Sequence, residues 1–324
     1  MKSPVLVTGA AGFIGSHVVE CLAARGRRVV GLDNLDPYYD PAMKRRNLES
    51  LAGLPGFTFV EGDIRDVALV RKLFGEHGVG EVVHLAAKAG VRPSVAEPVL
   101  YSDVNVTGTM VVIDAAQRAG CRTFVMASSS SVYGKRSDAP FRETDPPAPP
   151  QSPYAATKQA CEAIGRTFHE LHGMDVTALR FFSAYGPRQR PDLAVHKFTR
   201  LLLAGRPIPF YGDGSSRRDY TYVGDIAQGV AKALERCPGS GWRVYNLGNS
   251  ATVTLAELVA AVEEVWKVKA RLERLPEQPG DVPMTCADLT IARREIGFSP
   301  ATDLAAGLEK FAQWYRREVQ TSGA

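Results

Sequence analysis

The sequence predicts an α/β protein: a Rossmann-type, doubly wound parallel sheet with a smaller C-terminal α/β substrate lobe. Three observations carry this. Short apolar, β-branched runs alternate with helical periodicities through the first half, which calls for a parallel sheet covered on both faces. The first run ends in a glycine-rich turn that opens a helix, and an acid closes the second run. After about Tyr185 the runs shorten and Gly, Pro and Arg become frequent, which marks a change of architecture. The expected division is residues 1–184 for the first domain, with about 219–250 returning to it, and residues 185–324 mainly for the lobe.

Val5 to Thr8 is an apolar, β-branched run ending in glycine and reads as a buried strand. From Phe13 to Arg25, residues Ile14, Val18, Cys21 and Leu22 share one face, so this segment is a helix. Val29 to Leu32 is a second strand, closed by Asp33; Phe57 to Val60 and Val82 to Leu85 are two more. Helical patterns cover Val67 to His77 and Val99 to Ala119. Arg122 to Ala127 is the fifth strand, and Val176 to Phe182 follows a long helix from Tyr154 to about His172. Asp138 to Pro153 holds six prolines, which lack the amide donor, so it is an irregular loop. Following the fifth strand, it lies over the carboxyl ends of the strands, where open α/β sheets bind ligands. In the lobe, Leu255 to Trp266 and Leu304 to Glu318 have helical patterns.

Composition narrows the function. With 324 residues, 45% of them hydrophobic and 23% charged, the chain can bury a sizeable core and is not disordered. The net charge of +4 is spread thinly and forms no basic stripe, so a nucleic-acid partner is not expected. Five cysteines lie far apart without a CxxC pair, which speaks against disulfides and zinc and for a reduced, cytoplasmic protein. No apolar run reaches the ~18 residues of a membrane span. The first strand begins at once, which leaves no room for a signal peptide.

Thr8-Gly9-Ala10-Ala11-Gly12-Phe13-Ile14-Gly15 has GxxGxxG spacing between strand and helix. Gly9 permits the tight turn, Gly12 lets the backbone approach a pyrophosphate at the helix N-terminus, and Gly15 lets the helix pack closely on the sheet. Asp33, 18 residues after Gly15, accepts from a ribose 2′-hydroxyl and repels a 2′-phosphate, so NAD is expected over NADP. Arg45 and Arg46, which could receive such a phosphate, lie well downstream in an insert. Asp63 and Ile64 follow the third strand and are candidates for the adenine edge.

Tyr154 and Lys158 are four apart at the start of the long helix and so share a face. An ammonium beside a phenol favours the phenolate, a general base. Four serines, Ser128 to Ser131, end the fifth strand, and one of them can relay the proton of a reacting hydroxyl. Alternation puts Ser129 and Ser131 on one face and Ser128 and Ser130 on the other.

On these residues the chain resembles the extended short-chain dehydrogenase/reductase family, and within it the nucleotide-sugar epimerases and dehydratases. The resemblance covers nearly the whole chain. It rests on TGAAGFIG, Asp33-Asn34, HLAA (His84, Leu85, Ala86, Ala87), ASSSSVYG, SPYAATK, RFFSAYGPRQRPD, SRRDYTYVGD and QPGDV. It implies bound NAD and a catalytic Ser129, 25 residues before the catalytic Tyr154, with Lys158. It also implies a homodimer made by packing about Val99 to Ala119 and Tyr154 to His172 into a four-helix bundle. Dehydratases of this type carry Thr-Asp-Glu before VYG; here Ser129-Ser130-Ser131 stand there, which leaves simple epimerisation.

Gln278, the run Asp33 to Leu48 and Arg190-Pro191-Asp192 are similar to UDP-glucuronate 4-epimerases. The resemblance implies that Arg190 clamps the sugar carboxylate, with Ser183 where that family has Thr. A guanidinium suits this because it offers two parallel donors. It further implies that Arg218 binds the diphosphate and Asp281 a ribose, with Ser130 beside the sugar. Arg92 is a candidate for either the carboxylate or the diphosphate. The expected reaction is NAD-dependent 4-epimerisation of UDP-glucuronate to UDP-galacturonate through a 4-keto intermediate. The alternatives are a 4-epimerase of UDP-glucose or UDP-N-acetylglucosamine, and a non-catalytic nucleotide sensor. A sensor has no need of the Ser129, Tyr154 and Lys158 set.

Overall fold

A computed structural model describes residues 2–136, 138–277 and 282–322. Gln278 and Asp281, singled out above, lie outside the described residues. Seven parallel strands form the central sheet: β1 (Val5–Thr8), β2 (Val29–Asp33), β3 (Phe57–Glu61), β4 (Glu81–His84), β5 (Thr123–Ser129), β6 (Asp175–Phe181) and a seventh strand, Trp242–Leu247. Across the sheet the order is seventh, β6, β5, β4, β1, β2, β3. Val5 of β1 therefore pairs with Val29 on one side and with Glu81 on the other. Winding reverses at β1 and β4, which opens a crevice beyond their carboxyl ends. β1 and β2 are buried along their whole length because helices cover both faces.

On one face, Val18, Val19 and Leu22 of α1 (Phe13–Ala24) join Ile226, Val230 and Leu234 of the helix Val223–Arg236. On the other, Val70, Leu73 and Phe74 of α3 (Val67–His77) meet Val112 and Ile113. The lobe has its own core, which includes Phe198, Leu202, Ile208, Leu258, Val262 and Phe311.

The structure adds elements that periodicity does not reveal. Helix α2 (Pro41–Leu51) fills the insert after β2: Asp40 caps it by accepting from the Ala42 amide at 2.9 Å, and Pro41 opens it. The seventh strand is half exposed at its start, which blurs its apolar signature.

Val99 to Ala119, expected as one helix, is three pieces. Pro98–Ser102 and Gly108–Arg118 are α-helical, and a π turn, Asp103–Thr107, sits between them. The Asn105 side chain explains the bulge. Its amide nitrogen donates to the Lys88 carbonyl and to Thr157 Oγ1, both at 3.0 Å, and its oxygen accepts from the Lys88 amide at 2.8 Å. Just beyond it, a Cβ on Gly108 would lie 2.4 Å from Ile64 Cδ1, so any side chain there would displace the Ile64 tip.

Candidate active site

The crevice is a cleft of about 490 Å³ that brings most of the sequence candidates to one place. Gly9, Gly12, Phe13, Ile14 and Gly15 line its floor. Gly9 has a φ of 72°, and a Cβ there would sit 2.8 Å from the Ala86 nitrogen. The loop after β4 is therefore packed directly on the glycine turn. Thr8 fastens the two by accepting from the Leu85 and Ala86 amides, both at 3.1 Å. Leu85, Ala86 and Ala87 all line the cleft. Gly15 has a different role from the one expected. Its missing Cβ makes room for the Gly9 carbonyl, which would be 1.9 Å away, so it closes the helix on its own loop and not on the sheet. Gly12 starts α1 without any side-chain cap, so the first-turn amides stay open to an anion.

At one end of the cleft stand Asp33, Asn34, Asp63 and Ile64. Asp33 is buried; its oxygens accept from the Ala11 amide at 3.2 Å and from the Leu35 amide at 2.8 Å. Each oxygen keeps a second lone pair for a ribose hydroxyl. Lys44 lies 3.5 Å from Asp33 and also lines the cleft, a cation that the sequence reading passed over. Its signal was the Asp40-Pro41 helix start, which fixes α2 and with it the face that Lys44 occupies. Arg46, by contrast, is turned away and pairs with Glu318 at 2.6 Å. Asp63 is held by hydrogen bonds from Arg65 and Asn34, which pull its carboxyl down to about 2.

At the other end Tyr154, Lys158 and Ser129 line the same wall. Ser152 caps their helix, Pro153–His172, by accepting from the Ala155 amide at 3.1 Å. Lys158 is buried and donates to the Ala127 carbonyl at 2.9 Å, which ties it to the strand that carries Ser129. The Tyr101 ring meets Tyr154 edge-on at 6.3 Å.

The four serines separate physically. Ser128 gives its hydroxyl to Glu162, whose carboxylate is also gripped by Arg180 at 2.8 and 2.9 Å. Ser129 ends β5 and accepts from the Ser131 amide at 3.1 Å, so its own proton stays available. Ser130 to Tyr133 then turn as a 3₁₀ helix, which breaks the alternation expected for Ser130 and Ser131. Ser131 Oγ is buried without a partner among the described residues, and Ser130 does not line the cleft.

Ser183, Arg190 and Arg218 complete the cleft. Arg218 donates to the Arg217 carbonyl at 2.9 Å. Arg190 lies over the Tyr38 ring at 5.2 Å, and its Nε and Nη2 grip Asp192 at 3.0 and 2.8 Å. One edge of its donor fork is thus already engaged. Arg92 does not line the cleft: the short helix Val91–Ala96 carries it outward, over the Tyr211 ring at 5.2 Å. Besides Lys44, the sequence reading missed Tyr38, Tyr39 and Lys88, which also line the wall. Among the described residues no cluster of His, Cys, Asp or Glu could hold a metal ion, and no helix is long and apolar enough to cross a membrane.

Fold and cleft together define the class, an α/β dinucleotide-binding protein with a tyrosine–lysine pair beside a serine. The chain belongs to the GDP-mannose 4,6-dehydratase family, whose model matches residues 6–311. It is 45% identical to UDP-glucuronate 4-epimerase 1 of Arabidopsis thaliana over 96% of this chain and 76% of that protein. Among solved structures it is similar to a UDP-glucuronic acid 4-epimerase from Bacillus cereus in complex with UDP-glucuronic acid and NAD. That likeness has a TM-score of 0.91 and 32% identity over 97% of this chain and 99% of the other. A UDP-glucose 4-epimerase from Thermotoga maritima with UDP-glucose is also similar, with a TM-score of 0.89 and 32% identity over 98% and 99%.

Proposed function

We propose that this protein is an NAD-dependent 4-epimerase of UDP-sugars and that its substrate is UDP-glucuronate, converted to UDP-galacturonate. One observation carries the reaction class. The acids that line the cleft are Asp33, which ends β2, and Asp36 and Asp63, on the loops after β2 and β3; Tyr154 stands on the far wall. Elimination of water needs a general acid and a base at the reacting carbons; among the described lining residues this end offers hydroxyls, an amine, an amide and guanidinium groups but no carboxyl. The family's dehydratase description therefore does not extend to the chemistry of this chain.

The cleft fits NAD: open first-turn amides after Gly12, a Cβ-free turn at Gly9 and an acid at Asp33 match a pyrophosphate and a ribose. Bound NAD supplies the acceptor and donor of hydride at the sugar C4. Tyr154 takes the proton of the 4-hydroxyl, directly or through Ser129, and returns it after the ketone has turned over. Lys158, one helical turn on from Tyr154, lines the same wall with its ammonium held at the Ala127 carbonyl. Arg218 serves the diphosphate, and Arg190 with Ser183 holds the hexuronate carboxylate. That hold has a second use. The 4-ketone of a glucuronate is a β-keto acid, which loses carbon dioxide fastest when the carboxylate bond stands perpendicular to the ketone plane; a held carboxylate avoids that geometry.

Residues 1–184 with 219–250 act as the cofactor domain and residues 185–324 as the substrate lobe. We read the enzyme as a cytoplasmic homodimer. Val99 is 80% exposed, and Met110, Ala156 and Ala163 are exposed on the two neighbouring helices, an apolar face suited to a second copy. The five cysteines are all free. The likeness to a UDP-glucose 4-epimerase keeps a neutral sugar as the second reading. Incubation with UDP-glucuronate, UDP-glucose and UDP-N-acetylglucosamine, with proton NMR of the products, tests both. Formation of UDP-galacturonate is expected; turnover of the neutral sugars alone would overturn the glucuronate assignment.

A further inference from the structure

Arg190 is not a bare cation waiting for a substrate. Its side chain is only 16% exposed, its guanidinium covers the Tyr38 ring, and Nη2 approaches the Ala89 carbonyl at 3.5 Å. Asp192, two residues on, takes the Nε and Nη2 edge with both carboxylate oxygens and accepts from the Tyr38 hydroxyl at 3.3 Å. Burial alone would push the Asp192 carboxyl up, yet the bonds and charge of Arg190 hold it below the usual range, so it is anionic at neutral pH. Asp192 also borders a second cavity of about 500 Å³, shared with His196 and Arg200, so its outer side is open. Nη1 makes no hydrogen bond among the described residues.

We propose that Asp192 is a specificity-determining residue, an internal counter-carboxylate that aims Arg190 through one edge of its fork and opposes the substrate carboxylate arriving at the other. The inference rests on the reading of Arg190 as the hexuronate clamp. Its physical logic is release. A buried, unneutralised arginine would hold charged substrate and charged product alike, and such uniform binding lowers KM without raising kcat. Asp192 weakens both complexes while fixing the guanidinium plane, so orientation is kept and excess affinity is shed.

The test uses the NAD-loaded protein carrying Tyr154→Phe, which binds without turning over, and titrates UDP-glucuronate and UDP-glucose by calorimetry. Adding Asp192→Asn removes the charge but keeps an acceptor for Arg190. The ratio of the two dissociation constants should shift about tenfold in favour of UDP-glucuronate. Asp192→Ser removes the paired carboxylate oxygens that grip the fork and should shift the ratio the same way. In the active enzyme, Asp192→Asn should lower KM for UDP-glucuronate without raising kcat. Asp192→Ser should in addition release more pentose by-product, because the freed guanidinium no longer fixes the carboxylate. An unchanged ratio in both variants, or a shift toward UDP-glucose, overturns the proposal. If the parent protein binds UDP-glucose but not UDP-glucuronate, the substrate reading itself falls, and the role of Asp192 with it.

Discussion

Tyr154 has one polar atom to lose. Tyr154→Phe keeps the edge-on contact with Tyr101 and removes the proton acceptor, so turnover should fall at least ~10²-fold while UDP-sugar binding survives. Stopped assays beside calorimetry separate the two, and near-normal turnover would remove Tyr154 from the chemistry. At the adenosine end, Asp33 and Lys44 form a buried pair 3.5 Å apart. Asp33→Ala would leave the Lys44 ammonium facing the ribose, and the variant should exchange NAD for NADP. Chromatography of the cofactor released on denaturation reads this directly; continued exclusion of NADP would place discrimination elsewhere. For Arg190→Ala, a lost charge-assisted hydrogen bond is worth roughly 1.5–3 kcal/mol, about ten- to a hundredfold in binding. UDP-glucuronate should suffer far more than UDP-glucose, with more pentose in the mass spectrum of the products. Equal losses on both sugars would put Arg190 outside the sugar pocket.

Between elements, the cleft depends on close backbone approaches. Gly15 meets the Gly9 carbonyl where a side chain would stand, and Gly9 meets the loop after β4. Gly15→Ala forces the glycine turn away from α1. A stability loss of about 1–3 kcal/mol is expected, as for overpacked cores, together with loss of retained NAD. Thermal melting and cofactor analysis of the purified variant check both; a protein that keeps NAD and melts normally would show that the turn yields freely. These contacts explain what periodicity could and could not supply. The glycine spacing placed the turn correctly, but the partner of each missing Cβ belongs to another segment. Alternation likewise divided the four serines only into two faces and the resemblance named Ser129; the fold separates them further, because β5 ends at Ser129 and Glu162, 34 residues on in the chain, takes Ser128.

The whole molecule carries an acid-sensitive pair. His84 is buried between Thr8 and Thr109 at 2.8 and 3.0 Å. The Thr109 hydroxyl donates to the Asn105 carbonyl, so Nε2 of His84 donates to Thr109 and Nδ1 is left as an acceptor. Burial first, and then the Lys158 charge, push its pKa down to about 3. His17, under the Pro187 carbonyl, is pushed down to about 4 by burial and then by Arg188. Both folded values lie below the unfolded value of ~6.5, so below it the unfolded chain binds more protons. Stability from these two groups is complete above that pH and falls as pH drops toward 4. Each contributes a slope of at most about 1.4 kcal/mol per pH unit. Melting temperature should drop between pH 7 and pH 5, and His17→Gln should flatten the drop by about half. A flat profile in the parent protein would mean that both rings protonate in place.

The sequence by itself determined the alternation that builds the sheet, the glycine turn with Asp33, and the pair Tyr154 and Lys158. Each is a local signal, spaced by the geometry of one strand, one turn or one helix. Tertiary structure decided what lies between distant segments. The π turn at Asp103–Thr107 follows from what Asn105 reaches on Lys88 and Thr157. Arg92 leaves the cleft for Tyr211, Lys44 enters it on a helix laid beside Asp33, and Arg190 arrives already paired. Hydrogen bonds and ion pairs across long loops have no period in the chain, because their partners are chosen by the packed fold and not by the spacing of residues along it.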